Sequence, residues 1–558
     1  MKRGFLILAL ALISMPSVAQ VAINTDGLLP DNSAMLDVKS TAKGFLPPRM
    51  TTAERNAIGS PAVGLVVFDT DANGLFIRTS TDWSQLGTVS VWGLTGNSGT
   101  NTAINFIGTT DDINLIFMRN NQRSGLLGHF DTSFGMNALN PLGNEGSNAA
   151  FGSFALASNT TGIFNSALGE AALYSNTTGR ANTAIGYQSL NSNISGNGNT
   201  STGNYALYAN TTGQANTANG SDALQRNKTG NSNTAIGSSA LYDNQGDYNT
   251  AIGDNALFSN YLGGANTAAG ADALYSNTSG QANTATGRNA LYSCTTGNNN
   301  TAYGLNALLS TETGGNNTAN GYAALSANTT GSFNIATGEQ ALHANTTGCY
   351  NTANGIESLY LATTAFYNTA TGSGALYSAT GGSNTADGVD ALRLLTTGSN
   401  NTAIGYNAQV PTATGSNQVR IGNGSVSYAG IQVAWTITSD RRLKTDIKNS
   451  ELGLGFIKKL NPVSYIRIND TGKKTEYGFI AQEVEETLKN LGLSNTGMVS
   501  KDDKGMYSVR YNDLFAPIVK AVQEQQVIIE SDKLKIKALE EVNNRLESRL
   551  KAIEEKLK

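Results

Sequence analysis

One asparagine recurs along the middle of the chain at an almost constant interval. Of the fifteen intervals between these asparagines, thirteen are 17 residues long and two are 16. A glycine stands four positions after each asparagine, and a leucine stands eight positions after each of the first fifteen. A fixed short period predicts a solenoid in which each repeat forms one coil. The asparagines are Asn148, Asn165, Asn182, Asn199, Asn216, Asn233, Asn249, Asn266, Asn283, Asn300, Asn317, Asn334, Asn351, Asn368, Asn384 and Asn401.

The residues within each repeat favour short strands over helix. Glycine, asparagine and threonine fill every unit, and these residues are weak helix formers. We therefore predict two short strands per coil, separated by Asn-Thr-Thr-Gly turns. The repeated glycine suits a positive φ or a close approach of two backbones. We expect the leucine and its preceding alanine to form ladders inside the coil, and asparagine and threonine to form hydrogen-bonded ladders at the turns.

Degenerate copies of the repeat extend it on both sides. Asp131 begins an incomplete copy before the first asparagine, and Gln418 begins another after the last one. We assign residues 131–425 to a parallel β-roll whose sixteen regular coils make a rod roughly 75–80 Å long at about 4.8 Å per coil. Residues 20–130 precede it as N-terminal β modules, with two strand patterns around a turn at residues 71–74.

A single roll buries little apolar surface. One coil encloses a few small apolar side chains, which at about 25 cal/mol per Å² gain little against the ordering entropy of the coil. Three rolls packed side by side would bury a second face, so we predict a homotrimer, with a monomeric solenoid as the alternative. The repeats resemble the head repeats of trimeric autotransporter adhesins, a resemblance that implies a left-handed parallel β-roll. The segment AMLDVKSTAKGFLPPRMTTAERNAI resembles a module found upstream of fibre domains in exported bacterial proteins.

Charge marks a boundary near residue 438. Residues 439–558 hold 22 of the 37 basic residues, whereas residues 148–438 hold six basic and eleven acidic ones. Residues 426–438 read as a linker between the roll and this charged region. The net charge of −4 and the lack of basic clusters argue against nucleic acid as a partner.

The first 19 residues read as an export signal. Lys2 and Arg3 precede an apolar run that is too short to span a bilayer, and small residues follow at the cleavage position. We expect a secreted or cell-surface protein without a membrane-spanning segment, a retained signal anchor being the alternative.

Cys294 and Cys349 lie more than three repeats apart, about 15 Å along the roll, beyond disulfide reach. We predict two free thiols with packing roles.

A serine and a lysine stand five residues apart at the charge boundary, in the segment TSDRRLKTDI. Such a pair can carry out nucleophilic chemistry when the lysine is neutral and accepts the hydroxyl proton. Two further blocks follow, YGFIAQEVEE at residues 477–486 and YSVRYNDLFAPIVKAVQEQ at residues 507–525. In this order, the three blocks resemble the intramolecular chaperone autopeptidase of phage tail spikes and endosialidases, which also occurs in myelin regulatory factor.

This resemblance implies roles for named residues. Ser439 would be the nucleophile and Lys444 the general base, with the cut between Thr438 and Ser439. Asp440 and Arg442 belong to the same motif and would orient it, or pair on the surface. We assign residues 439–518 to this α+β chaperone domain, with residues 478–482 forming a strand that enters a helix behind the dyad. The last helix is expected to begin near residue 511.

Residues 519–558 carry apolar residues at alternating spacings of three and four. This pattern predicts a coiled coil, and the isoleucines at a positions are compatible with three strands. A helix folded against its own domain is the alternative. The seam is Val522, Gln525, Ile529, Asp532, Ile536, Leu539, Asn543, Leu546, Leu550, Ile553 and Leu557.

The leading hypothesis is a trimeric fibre or adhesin-like protein that folds through its C-terminal domain and then cuts itself once. The first alternative is a structural fibre whose C-terminal trimerisation domain never cuts. The second is a glycan-cleaving fibre, which would need a pair of carboxylates. Acidic residues of the repeats are scattered, and His129 and His343 have no companions for a metal site. We expect no cofactor and no metal, and a glycan or another cell-surface ligand as the external partner class. Seven tyrosines that follow the repeat leucine fit a packing rim better than a binding face.

Overall fold

The computed structural model describes residues 20–87, 100–101, 106–139, 146–433, 435–468, 470–494 and 496–558. The predicted export signal, residues 1–19, lies outside the described residues. The chain divides into two compact units, Met1–Gly108 and Thr109–Lys558.

Two small sheets make up the described part of the first unit. Its elements are β1 (Val21–Asn24), β2 (Leu36–Lys39), β3 (Arg49–Met50), α1 (Thr52–Asn56), β4 (Val66–Asp69), β5 (Gly74–Arg78) and β6 (Trp83–Gln85). Strands β1 and β2 pair in parallel, and β3 to β6 form a sheet in sequence order. Strands β4 and β5 form an antiparallel hairpin around the turn at residues 71–74, as predicted. Arg55 and Asp69 form a buried salt bridge at 3.1 Å within this unit.

The second unit opens with an antiparallel hairpin, β7 (Leu115–Arg119) and β8 (Gln122–Leu127), which leads into the roll. Eighteen three-residue strands follow in the described residues, each paired in parallel with the next at a shift of one repeat. Within this series, each strand from β7 to β25 pairs with the next strand in sequence. The roll strands are β9 (Thr132–Phe134), β10 (Ala149–Phe151), β11 (Ser166–Leu168), β12 (Thr183–Ile185), β13 (Thr200–Thr202), β14 (Thr217–Asn219), β15 (Thr234–Ile236), β16 (Thr250–Ile252), β17 (Thr267–Ala269), β18 (Thr284–Thr286), β19 (Thr301–Tyr303), β20 (Thr318–Asn320), β21 (Ile335–Thr337), β22 (Thr352–Asn354), β23 (Thr369–Thr371), β24 (Thr385–Asp387), β25 (Thr402–Ile404) and β26 (Val419–Ile421).

Alanine and leucine ladders fill the roll, as the sequence predicted. In the coil that starts at Asn199, for example, Ala206 and Leu207 are fully buried, and the equivalent residues of the other coils form one continuous core. The middle residue of nearly every roll strand is a second buried alanine, such as Ala218 in β14. The predicted parallel β-roll of 17-residue repeats is therefore confirmed.

Each coil contains one strand, where two were predicted, in the part of the roll that the structure describes. On the other side of the coil that starts at Asn182, Gln188 and Leu190 have φ angles of +53° and +52°. These left-handed residues curl the chain, which interrupts strand geometry. The N–H groups nevertheless keep pointing along the roll axis, since Leu190 N donates to Ala206 O at 2.9 Å. Left-handed leucines thus replace the second strand without loss of the inter-coil hydrogen bonds.

The asparagines that start each repeat form a ladder of buried side chains next to the strands, away from the predicted turns, whereas a second ladder of buried asparagines lies at the Asn-Thr-Thr-Gly turns, as predicted. Asn165 Nδ2 donates to Asn148 Oδ1 at 3.2 Å and to Gly179 O at 2.9 Å, and these asparagines are buried. A second interior ladder runs eleven positions later in the repeat, where Asn176 Nδ2 donates to Asn159 Oδ1 at 2.9 Å. Buried amides need such partners, and one coil above and one below supply them.

Threonines form a further ladder at the turns. Thr160 Oγ1 donates to Thr177 O one coil later at 2.8 Å, and both positions are exposed or partly exposed. This part of the ladder prediction is confirmed.

The repeated glycine also behaves as predicted: Gly186 has a φ of +132°, and a Cβ atom there would lie 2.4 Å from Gly203 O of the next coil.

Aromatic side chains stack along the outside of the roll. One stack consists of the rings of Tyr242, Phe258, Tyr275 and Tyr292, whose centroids are 4.9 to 5.2 Å apart. This spacing matches the rise of one coil. The ring faces cover one another, so the stack packs as a rim of the roll.

Both cysteines are free thiols, as predicted; Cys294 is buried and Cys349 is partly exposed.

A small α+β domain and a long helix follow the roll. Phe456, Val484, Leu488, Met498 and Leu514 form the core of this domain. A 3₁₀ turn at Tyr511–Leu514 precedes α4, so the last helix begins four residues later than predicted. No helix among the described residues has the length and apolar character needed to cross a membrane. The elements are a 3₁₀ turn (Arg441–Leu443), α2 (Leu454–Ile457), β27 (Val463–Tyr465), β28 (Glu476–Gly478), α3 (Ala481–Asn490), β29 (Val499–Lys501), β30 (Tyr507–Val509) and α4 (Phe515–Leu557).

Candidate functional site

A short turn folds the predicted nucleophile and base toward each other. Asp440 caps the 3₁₀ turn Arg441–Leu443, because its Oδ1 atom accepts a hydrogen bond from Arg442 N at 2.8 Å. Lys444 N then donates to Arg441 O at 3.1 Å and closes the turn. Residues five apart in sequence are therefore brought to the same side of the loop.

Within this turn, Lys444 Nζ lies 2.5 Å from Ser439 Oγ. The predicted pair is thus within hydrogen-bond distance, which is the first geometric requirement for a nucleophile and its base. Both side chains are exposed in the single chain, as is Thr438. A general base has to be neutral so that it can accept the hydroxyl proton.

Asp440 and Arg442 form an ion pair with each other beside the dyad. Arg442 Nη2 lies 2.7 Å from Asp440 Oδ2, and Arg442 Nε lies 3.1 Å from Asp440 Oδ1. The hydrogen bonds from the Arg442 side chain and backbone lower the pKa of Asp440. In return, the hydrogen bond to Asp440 raises the pKa of Arg442. The pair holds the turn in shape, and it does so at the surface.

The two downstream motif blocks meet each other and lie apart from the dyad. Phe479 N donates to Tyr511 Oη at 3.1 Å, and their rings pack with centroids 6.2 Å apart. Residues 476–478 form β28 and α3 begins at Ala481, so the predicted strand entering a helix is present. Among the described residues, no hydrogen bond, ion pair or ring contact joins residues 478–482 to Ser439 or Lys444. Their predicted place behind the dyad is therefore not observed.

Helix α4 leaves its predicted seam uncovered. Ile529 and Ile536 are 40% and 55% exposed, and the other apolar seam positions from Val522 to Leu557 are exposed to a similar or greater degree. The alternative in which this helix folds against its own domain therefore holds only for its first turns, where Pro517 and Ala521 are buried.

A second contact, which sequence reasoning missed, joins the end of the roll to the C-terminal domain. Asp503 N donates to Pro411 O at 3.0 Å, and Ala413 N donates to Asp503 Oδ2 at 2.6 Å. A cavity of about 370 Å³ lies at this junction, lined in part by Arg420 and Lys504. Ala413 and Asp503 are 90 positions apart in the chain. The only local signal is that Pro411 is the single proline between residues 142 and 461.

Comparison with known proteins finds two matching families, one near each end of the chain. Residues 22–103 match the phage tail like trimerisation region, and residues 439–493 match the chaperone of endosialidase. No curated protein and no solved structure matches the chain. The second match begins at Ser439 itself. Together with the β-roll, the two matches support a homotrimeric protein similar to phage tail fibres, with an endosialidase-type chaperone domain at its C-terminal end.

Proposed function

We propose that this chain is an exported, trimeric fibre whose C-terminal domain aligns three copies and then cuts each chain between Thr438 and Ser439. The observation that carries the proposal is the 2.5 Å distance between Lys444 Nζ and Ser439 Oγ at the first residue of the matched chaperone region. Export is supported by the character of residues 1–19.

The proposed reaction uses one nucleophile and one base of the same chain. Neutral Lys444 accepts the Ser439 hydroxyl proton while Oγ attacks the carbonyl carbon of Thr438. The Thr438–Ser439 amide bond breaks, its nitrogen takes the proton from Lys444, and an ester remains between Thr438 and Oγ. Water then hydrolyses the ester to leave a carboxylate on Thr438 and a free hydroxyl on Ser439. Because both groups belong to one turn, no bimolecular encounter is needed.

Association of three chains would supply what the single chain lacks. Burial disfavours the charged form of an amine, so covering the exposed turn would favour neutral Lys444. The uncovered seam of α4 offers a surface for this association. At 1.5 Å per residue its 43 residues extend about 65 Å, and three such helices can pack as a coiled coil through the apolar a and d positions. Cleavage would then depend on assembly.

The same order of events addresses a problem of the repeats. A roll with a 17-residue period can slip by a whole coil against its neighbour at little cost. A trimer that forms first at the C-terminal end fixes the register of the three chains. Removing that domain afterwards leaves the fibre without its route back to the unfolded state, so the fibre is kinetically trapped.

Intact mass and N-terminal sequencing of the purified protein test the proposal. The wild type should yield a fragment that begins at Ser439, and Ser439→Ala and Lys444→Ala should remain full length. Lys448→Ala is a matched control, since it removes a nearby exposed lysine and should leave cleavage intact. A correctly assembled wild-type trimer that stays full length would establish the alternative, a fibre with a permanent trimerisation domain.

A further inference from the structure

The roll ends in a half coil. Strand β26 pairs with β25, and Asn423 Nδ2 donates to Tyr406 O at 3.0 Å, so the strand side of the last full coil, residues 401–417, is covered by its successor. After that point the chain leaves the roll, and residues 426–433 and 435–438 are exposed. On the other side of the last full coil, the described residues form no following coil to pair with it.

A hydrogen bond recurs on that uncovered side in most coils of the roll; Lys228 N, which donates to Gln245 Oε1, is an exception. Twelve positions after the repeat asparagine, the backbone N–H donates to a carbonyl one coil later, as Thr160 N does to Thr177 O at 3.0 Å. The last such bond runs from Thr396 N to Ala413 O at 2.8 Å. Ala413 N is the next donor in the series. Its acceptor is Asp503 Oδ2 of the C-terminal domain, at 2.6 Å, in place of a carbonyl of the roll.

A proline removes the neighbouring donor. Ten positions after the repeat asparagine, an N–H group normally donates to the next coil, as Ser158 N does to Tyr174 O at 3.0 Å. In the last full coil this position is Pro411, which has no N–H to leave unpaired. Its carbonyl instead accepts the hydrogen bond from Asp503 N. Asp503 thus pairs with two backbone groups at this edge, one through its side chain and one through its backbone.

The loop that carries Asp503 is fixed within the C-terminal domain. It connects the antiparallel strands β29 and β30, and Asp502 Oδ1 accepts hydrogen bonds from Lys504 N at 2.9 Å and from Met506 N at 2.7 Å. Asp503 is therefore presented to the roll by a structured turn.

At the N-terminal end of the roll, a side chain of the opposite charge pairs with a backbone group of the first coil. Strand β8 pairs antiparallel with β9, and Arg123 Nη2 donates to Ala138 O at 3.1 Å. In later coils the equivalent carbonyl accepts a leucine N–H of the preceding coil, as Ala155 O does from Leu139 N at 2.8 Å. A cation thus supplies a donor at one end of the ladder, and a carboxylate supplies an acceptor at the other.

We propose that the loop at residues 502–506 is a surrogate coil: it occupies the place of the missing coil at the C-terminal end of the roll and fixes the chaperone domain on residues 401–417 in one register. This contact covers backbone groups that would otherwise be open to pairing with another chain. It also gives the roll a fixed end from which coils can add toward the N-terminus. That folding role rests on the proposed function, whereas the contact does not.

Hydrogen exchange measured by mass spectrometry tests this contact. The full chain carrying Ser439→Ala is used, so that the domain stays attached whether or not the wild type cuts itself. In this background, Asp503→Ala should raise exchange in the 409–418 segment roughly tenfold or more, because a charge-assisted hydrogen bond is lost. Interior coils such as residues 234–252 should keep their protection.

Two further variants make the result specific. Asp503→Asn retains an acceptor oxygen without the charge and should give a smaller increase. Lys504→Ala alters the same loop at a side chain that makes no hydrogen bond or ion pair in the described part of the chain, and should leave exchange in this segment unchanged. Unchanged protection of the 409–418 segment in Asp503→Ala would overturn the proposal, as would an equal loss of protection in Lys504→Ala. Because cleavage is blocked in every sample, a failure of the proposed cleavage leaves this outcome unaffected.

Discussion

The buried Oδ1 atom of Asn277 has no hydrogen-bond partner among the described residues, and Cys294 stands 17 residues later, where the next asparagine of its ladder would donate. Asn277 Nδ2 itself donates to Asn260 Oδ1 at 2.5 Å, as the ladder requires. The Sγ atom of Cys294 instead lies 3.6 Å from Gly297 O. The buried Oδ1 atom of Asn345 also has no partner among the described residues, and Ala362 stands 17 residues later in place of an asparagine. An interrupted interior ladder leaves a buried acceptor unpaired at each break.

Cys294→Asn should therefore stabilise the roll. Its Nδ2 atom would donate to Asn277 Oδ1 and to Gly297 O, as asparagine does at the equivalent positions of other coils. Satisfying a buried acceptor contributes about 1–3 kcal/mol, so the unfolding midpoint should rise. Thermal unfolding followed by circular dichroism measures this. Cys294→Ala, which leaves the acceptor unpaired, is the control and should not stabilise; equal midpoints for the two variants would contradict the interpretation.

The two thiols should differ sharply in reactivity. Burial raises the pKa of Cys294 from its ordinary value of 9.0 to about 11. At pH 8 only about one thiol in a thousand is then ionised, and the thiolate is the reactive form. Iodoacetamide should modify Cys349 in the folded protein and leave Cys294 unmodified until the roll unfolds, as read by peptide mass spectrometry. The folded state holds the Cys294 proton more tightly than the unfolded state does. The contribution of this thiol to the free energy of unfolding is therefore fully present below pH 9 and declines between pH 9 and 11, where the unfolded chain loses the proton first. Labelling of both cysteines at equal rates in the folded state would refute this.

Two glycines of the same coil provide a matched test of the close approach between coils. Gly186→Ala would place a Cβ atom 2.4 Å from Gly203 O at a φ of +132°, whereas Gly198, with a φ of +66°, has open space around it. Gly198→Ala should cost about 1 kcal/mol through backbone strain alone. Gly186→Ala should cost several times as much and make neighbouring coils sensitive to protease. Comparable unfolding midpoints for the two variants would show that the coils can separate without loss.

The sequence predicted those parts of the fold that depend on period and residue type. The spacing of Leu207 and Ala206 placed both in the core, and the resemblance of the segment at residues 438–447 paired Ser439 with Lys444. The left-handed leucines were missed because a positive φ is unfavourable for leucine in isolation. Only the stacked coils, whose hydrogen bonds and burial fix Leu190 at +52°, make that conformation the stable one.

Long-range contacts account for the other differences. A recurring asparagine fits an exposed turn and an interior ladder equally well, because both positions repeat once per coil. Its burial follows from the partners that Asn148 and Asn165 find in adjacent coils. The contact between Asp503 and Ala413 joins residues 90 positions apart, so no local pattern encodes it. Pro411 marks the end of the ladder only once the direction of its hydrogen bonds is known.

The seam of α4 leads to the last prediction, which concerns assembly. Ile536 lies on the predicted seam and is 55% exposed, while Leu534 lies off the seam on the same helix and is 71% exposed. Exposure alone would make Leu534 the more available apolar side chain. A three-stranded coiled coil buries only the a and d positions, so it would cover Ile536 and leave Leu534 in solvent.

Ile536→Asp should therefore abolish or weaken the trimer, and Leu534→Asp should leave it intact. Leucine is a better helix former than isoleucine, so the loss of helix propensity is at least as large in Leu534→Asp and cannot explain a weaker trimer in Ile536→Asp. The two variants are compared in the Ser439→Ala background, which keeps the helix attached, by sedimentation velocity across a range of concentrations. Burying a carboxylate at a packed a position is strongly unfavourable, so dissociation should appear at concentrations where the Leu534→Asp protein is still trimeric. If both variants remain equally trimeric, association does not use this seam, and the three chains are held together elsewhere along the fibre.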